Sequence, residues 1–319
     1  MYGEAVRSVI PIKALVNNLE ENSKDTPFTT VFAVSRSLFA LSTLTTLIFN
    51  VPQDLFVKEG FVSHSNIFWK INFFYLFGFD NLYLGQLVAI TILLSVILGV
   101  YPRITGILHW WRSYSFFNSA TIVDGGDQIT QIITLFFIPI CLLDARRSHW
   151  EKDLKSNSYY RNYLALLIFV IIKIQISLLY FNAGIAKFNV PEWVNGSAMY
   201  YWLTDNTFGA PPYLKDFIFF LVTNSFIVWI LSWSTIIFEI LLAVSIFFNE
   251  KNKTIMFKLG LIFHFFIFIL MGLGSFFFAM AGSLVVYLLP IKRYLNIKKF
   301  VLWMIQVFIL KSRSLIKNG

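Results

Sequence analysis

The sequence predicts an all-α, polytopic membrane helix bundle of about eight spans, and three observations carry that prediction. The chain is 57 % hydrophobic, 18 % aromatic and only 13 % charged, about half the charged fraction of ordinary soluble domains. Its 36 phenylalanines in 319 residues exceed what one soluble core could hide from water, whereas lipid tolerates them. Long apolar stretches recur along the chain, and a helix needs about 20 apolar residues to cross a bilayer.

In order, the stretches fall near 28–50, 82–100, 104–123, 128–143, 162–186, 226–248, 255–274 and 275–290. The third is interrupted by His109, Trp110, Trp111 and Arg112, and the fourth and eighth are short. These three are expected either to be re-entrant or to be covered by neighbouring helices. A further apolar stretch at 217–225 is expected to lie in the interface, and 298–310, with lysines at its start, reads as an amphipathic surface helix. The organisation is thus a cytoplasmic segment 1–27, a single multi-pass domain 28–290, and a basic cytoplasmic segment 291–319. Residues 1–27 are mixed polar and hold no apolar leader core, so the first span is expected to be an uncleaved anchor in a bacterial cytoplasmic membrane.

Charge sets the expected orientation. With both termini inside, the inner segments carry 19 of the 26 lysines and arginines. The outer segments carry only Lys58, Lys70, Lys187 and Lys215, which is a strong positive-inside bias. The long connections 51–81 and 187–216 then lie outside, where their aromatics are expected to cap the membrane face. The net charge of +9 does not indicate nucleic acid, because the bases do not cluster on a soluble face. A lone Cys141 excludes an internal disulfide, and no metal site is predicted, since the four histidines are scattered.

Several residues are candidates for chemistry. Lys187 ends the fifth apolar run and is followed at once by Pro191 and Trp193. Lysine there is either an anchor that snorkels to the interface or a desolvated amine able to act as base or nucleophile. In the second case it should sit in a partly dry pocket at the outer mouth, lined by Trp193 and Tyr180. Arg36, Arg112, Lys173, Glu239 and His264 fall at similar depths within their spans, with His109 on the Arg112 face. Charged groups at that depth pair and face the bundle interior. The layer either fixes helix register or floors a ligand cavity, and the expected partner of Glu239 is Arg36 or Arg112. Asp124 and Asp127 flank a Gly-Gly turn; they are a turn signal, or carboxylates that orient Lys187 from the same side. LLDARRSHW (142–150) reads as a basic surface anchor, with Asp144 capping its turn.

AGIAKFNVPEWVNGSAMYYW, LLDARRSHW, the FE of IIFEILL and FHFFIFILMGLGSFFFAMAG, in that set, resemble the horizontally transferred transmembrane (HTTM) domain family. That family includes the vitamin K-dependent gamma-glutamyl carboxylases. RITGILHWWRSYSFFNSATIVDGGDQI and SRSLFALSTLTTLIFN are similar to its bacterial branch, the sporulation-delaying protein SdpB family. The resemblance covers roughly 30–290. It implies that Lys187 corresponds to the lysine base that deprotonates reduced vitamin K. The region of a second important carboxylase residue, a histidine, holds DGGDQ here. That speaks against carboxylation and leaves quinone-type chemistry at Lys187 open. The bacterial branch implies a membrane factor for maturation of a secreted antimicrobial peptide toxin. It would act on a toxin precursor together with a small accessory partner protein, at a site opening outward, in contact with membrane lipid and without nucleic acid. The alternatives are a membrane enzyme using a quinone-like lipid with Lys187 as base, and an exporter or immunity-type protein. An exporter should show paired repeats or charge across the full thickness, and neither is visible in the sequence.

Overall fold

A computed structural model describes residues 16–17, 19–58, 71–153 and 158–295. Eight helices of 15 to 28 residues make the body: α1 (Thr30–Phe49), α2 (Leu82–Ile97), α3 (Pro102–Ser119), α4 (Gly125–Leu143), α5 (Tyr159–Ala186), α6 (Ser225–Val244), α7 (Glu250–Met271) and α8 (Gly274–Leu288). Each matches one expected apolar stretch. The only β-pairing among the described residues is an isolated bridge, Val100 to Ser148.

Six stretches are long and apolar enough to cross a membrane: Thr30–Phe49, Phe79–Ile97, Gly125–Leu143, Tyr159–Asn189, Ser225–Phe247 and Glu250–Met271. α3 falls short because its middle carries His109, the two tryptophans and Arg112. α8 has 15 residues, and its position explains its composition. Every side chain from Ala279 to Leu288 is buried, which is the pattern of a helix apolar all round and enclosed on all sides. It packs against α1, α4, α5 and α7.

Small residues let α8 and α1 approach closely, as they do between membrane helices. Ser35 Oγ donates to the Gly282 carbonyl at 2.7 Å, and Ser42 Oγ to that of Ser275 at 2.8 Å. A Cβ on Gly282 would stand 3.1 Å from the Ser35 carbonyl oxygen. Helix starts are capped by Thr29, Asp124, Asn224 and Asn249, each accepting a backbone N–H with its side chain. α7 stops at Gly272, whose φ of 73° only glycine adopts freely, and the chain turns at once into α8.

The two connections expected as outer caps differ. The described parts of 51–81 pack over the ends of α2 and α3 through Leu55, Phe56, Phe73 and Phe74. The 187–216 connection also reaches a helix end, where Leu203 clusters near Leu270 and Met271 of α7. It runs alongside the first half of α6, with Trp193 packed near Ile236 and the Met199 N–H on Ser232 Oγ at 3.2 Å. The short helix Lys215–Val222 follows, with Ile218 and Val222 turned inward and Phe217, Phe219 and Phe220 outward. The expected surface helix 298–310 and residues 1–15 lie outside the described residues.

LLDARRSHW departs from the expected surface anchor. Asp144 does cap its turn, accepting the Arg146 N–H at 3.1 Å and binding that guanidinium at 2.9 and 2.8 Å. The rest of the motif folds inward. The His149 N–H reaches the Gly99 carbonyl at 3.0 Å, Trp150 Nε1 reaches that of Ile97 at 2.9 Å, and His149 is fully buried. Gly99 makes the corner possible: a Cβ there would meet the His149 ring at 2.5 Å.

Candidate functional site

α4, α5, α6, α7 and α8 enclose a cavity of about 490 Å³. Its polar lining is Gln128, Gln175, Asn182, Tyr180, His264 and Glu239, and Phe263, Phe276 and Met280 supply much of the apolar wall. Glu239 is not alone there. Its Oε2 accepts from Lys187 Nζ at 2.5 Å, and the two side chains are only 16 % and 13 % exposed for Lys187 and Glu239.

The backbone explains this meeting. α5 ends at Ala186, and Lys187 is its C-cap. The helix's own free carbonyls favour a cation there, and Nζ donates to the Ala183 carbonyl at 3.1 Å. Trp193, on the next turn, places its ring 4.9 Å from Nζ, within cation–π range. Gly184 lets α5 lie close on α6: a Cβ there would be 2.8 Å from Ile240 Cγ1. Deeper in the cavity, the Tyr180 hydroxyl and His264 Nε2 are 3.0 Å apart. Tyr180 stacks on Tyr287, whose hydroxyl donates to the Leu242 and Ala243 carbonyls, both at 2.9 Å.

The expected polar layer therefore divides into separate groups, and Glu239 pairs with Lys187 rather than with Arg36 or Arg112. Each arginine is committed elsewhere. Arg36 turns toward the α2–α3 corner, where Nη2 donates to Thr105 Oγ1 at 2.7 Å and Nη1 lies 3.1 Å from His149 Nδ1. Arg112 is held between α3 and α4, with Nη2 on Ser113 Oγ at 2.6 Å and the Asp127 charge nearby. His109, on the same helix, is buried beside it. Lys173 stands apart, in the field of Lys253 and Glu250 at the start of α7. Only Glu239 and His264, of the six, line the cavity.

Asp124 and Asp127 form a helix cap. Asp124 Oδ1 accepts from Gly126 N and Asp127 N at 2.7 and 3.1 Å, Asp127 Oδ2 accepts from Asp124 N at 3.2 Å, and Ser275 Oγ binds Asp124 Oδ2 at 2.9 Å. This reciprocal box starts α4, and its bonds do not include Lys187. Trp193 stands beside the lysine, and Tyr180, seven residues back along α5, lines the adjoining cavity.

His149 is the buried polar residue whose role sequence reasoning missed. Its signal was faint: a histidine between basic residues, opposite a Gly99–Pro102 corner that needs closing. No group of three or more histidine, cysteine or acidic side chains able to hold a metal occurs among the described residues.

Comparison with known proteins places this architecture. The sequence profile of the HTTM domain matches residues 23–290. Sporulation-delaying protein SdpB of Bacillus subtilis (strain 168) is 35 % identical over 270 residues, covering 84 % of this chain and 83 % of that protein. The uncharacterized protein YitO of the same strain is 34 % identical over 286 residues, covering 88 % and 91 %. No solved structure matches.

Proposed function

Because the chain belongs to the HTTM domain family, we propose that it is a multi-pass membrane factor in the production of a secreted antimicrobial peptide toxin. Its reactive centre is the Lys187–Glu239 pair. The carrying observation is that this pair is largely buried where α5 ends, and its Glu239 lines a cavity large enough for one ligand. The likeness to sporulation-delaying protein SdpB supports this reading, and the partners proposed with it are a toxin precursor and a small accessory protein. The positive-inside bias supports eight crossings, counting α3 and α8 within the bundle, with both termini cytoplasmic.

Lys187 acts as base when its amine meets the bound molecule unprotonated, and Glu239, in contact with Nζ, holds that amine in position. The indole of Trp193 and the C-terminus of α5 stabilise the charged amine that results.

A quinone-like lipid is a second reading, favoured by the cavity's chemistry. Phe263 and Phe276 offer ring faces, while the Tyr180–His264 pair, Gln128 and Gln175 offer hydrogen bonds. Such a molecule, bound in its reduced quinol form, would supply a ring hydroxyl proton. Lys187 takes that proton, Glu239 sets the amine's position, and the apolar walls exclude water.

The test is Lys187→Arg in the native host with its neighbouring genes intact. Arginine keeps the charge but is not deprotonated at useful pH. The variant is expected to insert normally and to lose secreted growth-inhibiting activity, as is Lys187→Ala. Full activity in the arginine variant would show that Lys187 is only an anchor. Orientation is tested separately: a cysteine at Asn206 should react with an impermeant reagent added outside, and one at Asn252 should not.

A further inference from the structure

Lys173 was expected at the depth of the other buried charges, yet the helix ends around it set it near one edge of the bundle. Ser177 Oγ donates to the Ala243 carbonyl at 2.8 Å, one residue before α6 stops at Val244. The Tyr287 hydroxyl, from the last residue but one of α8, donates to the same carbonyl at 2.9 Å. Phe32, in the first turn of α1, meets Phe169 edge-on with ring centres 5.7 Å apart. Three helix ends therefore meet α5 between Phe169 and Ser177. α5 itself begins at Tyr159, ten residues before Phe169, so its first turns project beyond them.

Lys173 lies four residues before Ser177, about 6 Å nearer that end, and helical side chains lean toward their helix's N-terminus. The lean carries its ammonium toward the first turn of α7, where Lys253 and Glu250 stand within electrostatic range. The turn Ser245–Phe247 packs against both α5 and α7. The Lys253 side chain is 18 % exposed, whereas Glu250, 3.9 Å from it, is 66 % exposed. Two largely covered ammoniums thus share one carboxylate that faces outward. Lys173 has no hydrogen-bond or ion-pair partner among the described residues. A covered charge at a membrane edge is costly without a counter-ion. A lone lysine there can snorkel into water, but here a second cation stands on the side toward which Lys173 leans.

The surroundings say which anion fits. Ile171 and Ile174 on α5, Phe247 in the turn, and Ile255 and Leu259 on α7 are exposed, the apolar surface that spanning helices present to lipid. We propose that Lys173 and Lys253 bind the phosphate of an anionic phospholipid, whose acyl chains lie on these side chains. Basic pockets between spanning helices on the cytoplasmic side hold such headgroups, and the positive-inside bias puts this end of the bundle there. The site is separate from the Lys187–Glu239 pair and does not depend on what that pair does.

The test uses the purified full chain in nanodiscs of phosphatidylcholine, with and without phosphatidylglycerol. Phosphatidylglycerol should raise the parent's unfolding temperature, and native mass spectrometry from mixed discs should show it retained over phosphatidylcholine. Lys173→Gln and Lys253→Gln should each weaken that retention about fivefold, and Lys173→Arg should preserve it. Lys258→Gln, at an exposed lysine of α7, should leave it unchanged. Equal retention of the two lipids by the parent overturns the proposal, as does an equal loss in the Lys258 variant, which marks general charge attraction. A parent stabilised as much by inorganic phosphate alone as by phosphatidylglycerol also overturns it, because the anion then needs no lipid tail. If Lys173→Gln fails to insert, Lys253→Gln carries the same comparison.

Discussion

Two regions of this protein bury charge, and they do it differently. Around Arg36, each bonded group is tied to structure: the guanidinium binds Thr105 and His149, and His149 in turn fastens to Gly99. Arg36 is 0 % exposed. Around Lys187, the charges meet where a helix stops, Glu239 lines open space, and both side chains stay partly exposed. The lesson is that depth alone does not mark a reactive group. What separates the two is whether the side chain's partners are all spent on holding the fold.

That contrast can be broken by substitution. Arg36→Ala removes two buried hydrogen bonds and leaves a void, so it should cost the folded protein on the order of 3 kcal/mol. The loss would be read as lowered yield and early thermal unfolding in detergent, whereas Lys187→Ala, which leaves Glu239 without its partner but with some exposure, should cost about 1.5 kcal/mol or less. If the two behave alike, the distinction between staple and site is lost. Glu239→Gln keeps the shape but removes the charge that holds Lys187. A stability loss of about 1.5–3 kcal/mol is expected, together with a fall in secreted activity as deep as that of Lys187→Arg. A charge-neutral variant that stays active would move the reactive role off the pair.

Gly184→Val tests the geometry between the two helices. Its side chain would push against Ile240, at an overpacking cost of about 1–2 kcal/mol, and should lower activity by separating Lys187 from Glu239. Activity retained at lowered stability would mean that the pair's spacing is not what matters.

The smallest effect is one of pH, and it belongs to the staple. Burial first, then the charges of Arg36 and Arg146, lower the His149 pKa to about 2. An unfolded histidine titrates near 6.5, so below that pH the unfolded chain binds the extra proton and stability falls as pH drops. Between pH 7 and 5, His149→Gln should flatten the loss by about 1–2 kcal/mol. Equal slopes for parent and variant would remove His149 from the account.

Much of this fold is legible in the sequence because apolar runs and their breakers act locally. The eight helices fall on the eight expected stretches, and α3 starts at Pro102 because proline is suited to a first helical turn. The Asp-Gly-Gly signal of 124–126 is a helix cap, as turn chemistry suggests. The pairing of Lys187 with Glu239 was not legible. It joins residues 52 apart, and it depends on where α5 stops relative to α6, which no local pattern encodes. Counting residues from span ends grouped Glu239 with His264, and both line the cavity. The same counting missed Arg36 and Arg112 as partners because it cannot tell which way a long side chain turns. His149 was hidden by its basic neighbours, whose surface character says nothing about one residue folded beneath them.

The seam between α1 and α8 has a consequence for how the chain is made. Ser35 and Gly282 are 247 positions apart, so the first helix to leave the ribosome waits for the last before its main partner exists. Until then Ser35, Ser42 and the buried Arg36 have to be sheltered by α2, α3 and α4 or by the insertion machinery. When α8 arrives it enters a slot already walled on several sides, and the Thr29 hydroxyl then closes on the Ile291 carbonyl. The two ends of the domain are thereby fastened together, and a chain cut short before α8 would carry an open groove through its centre rather than a smaller version of the same protein.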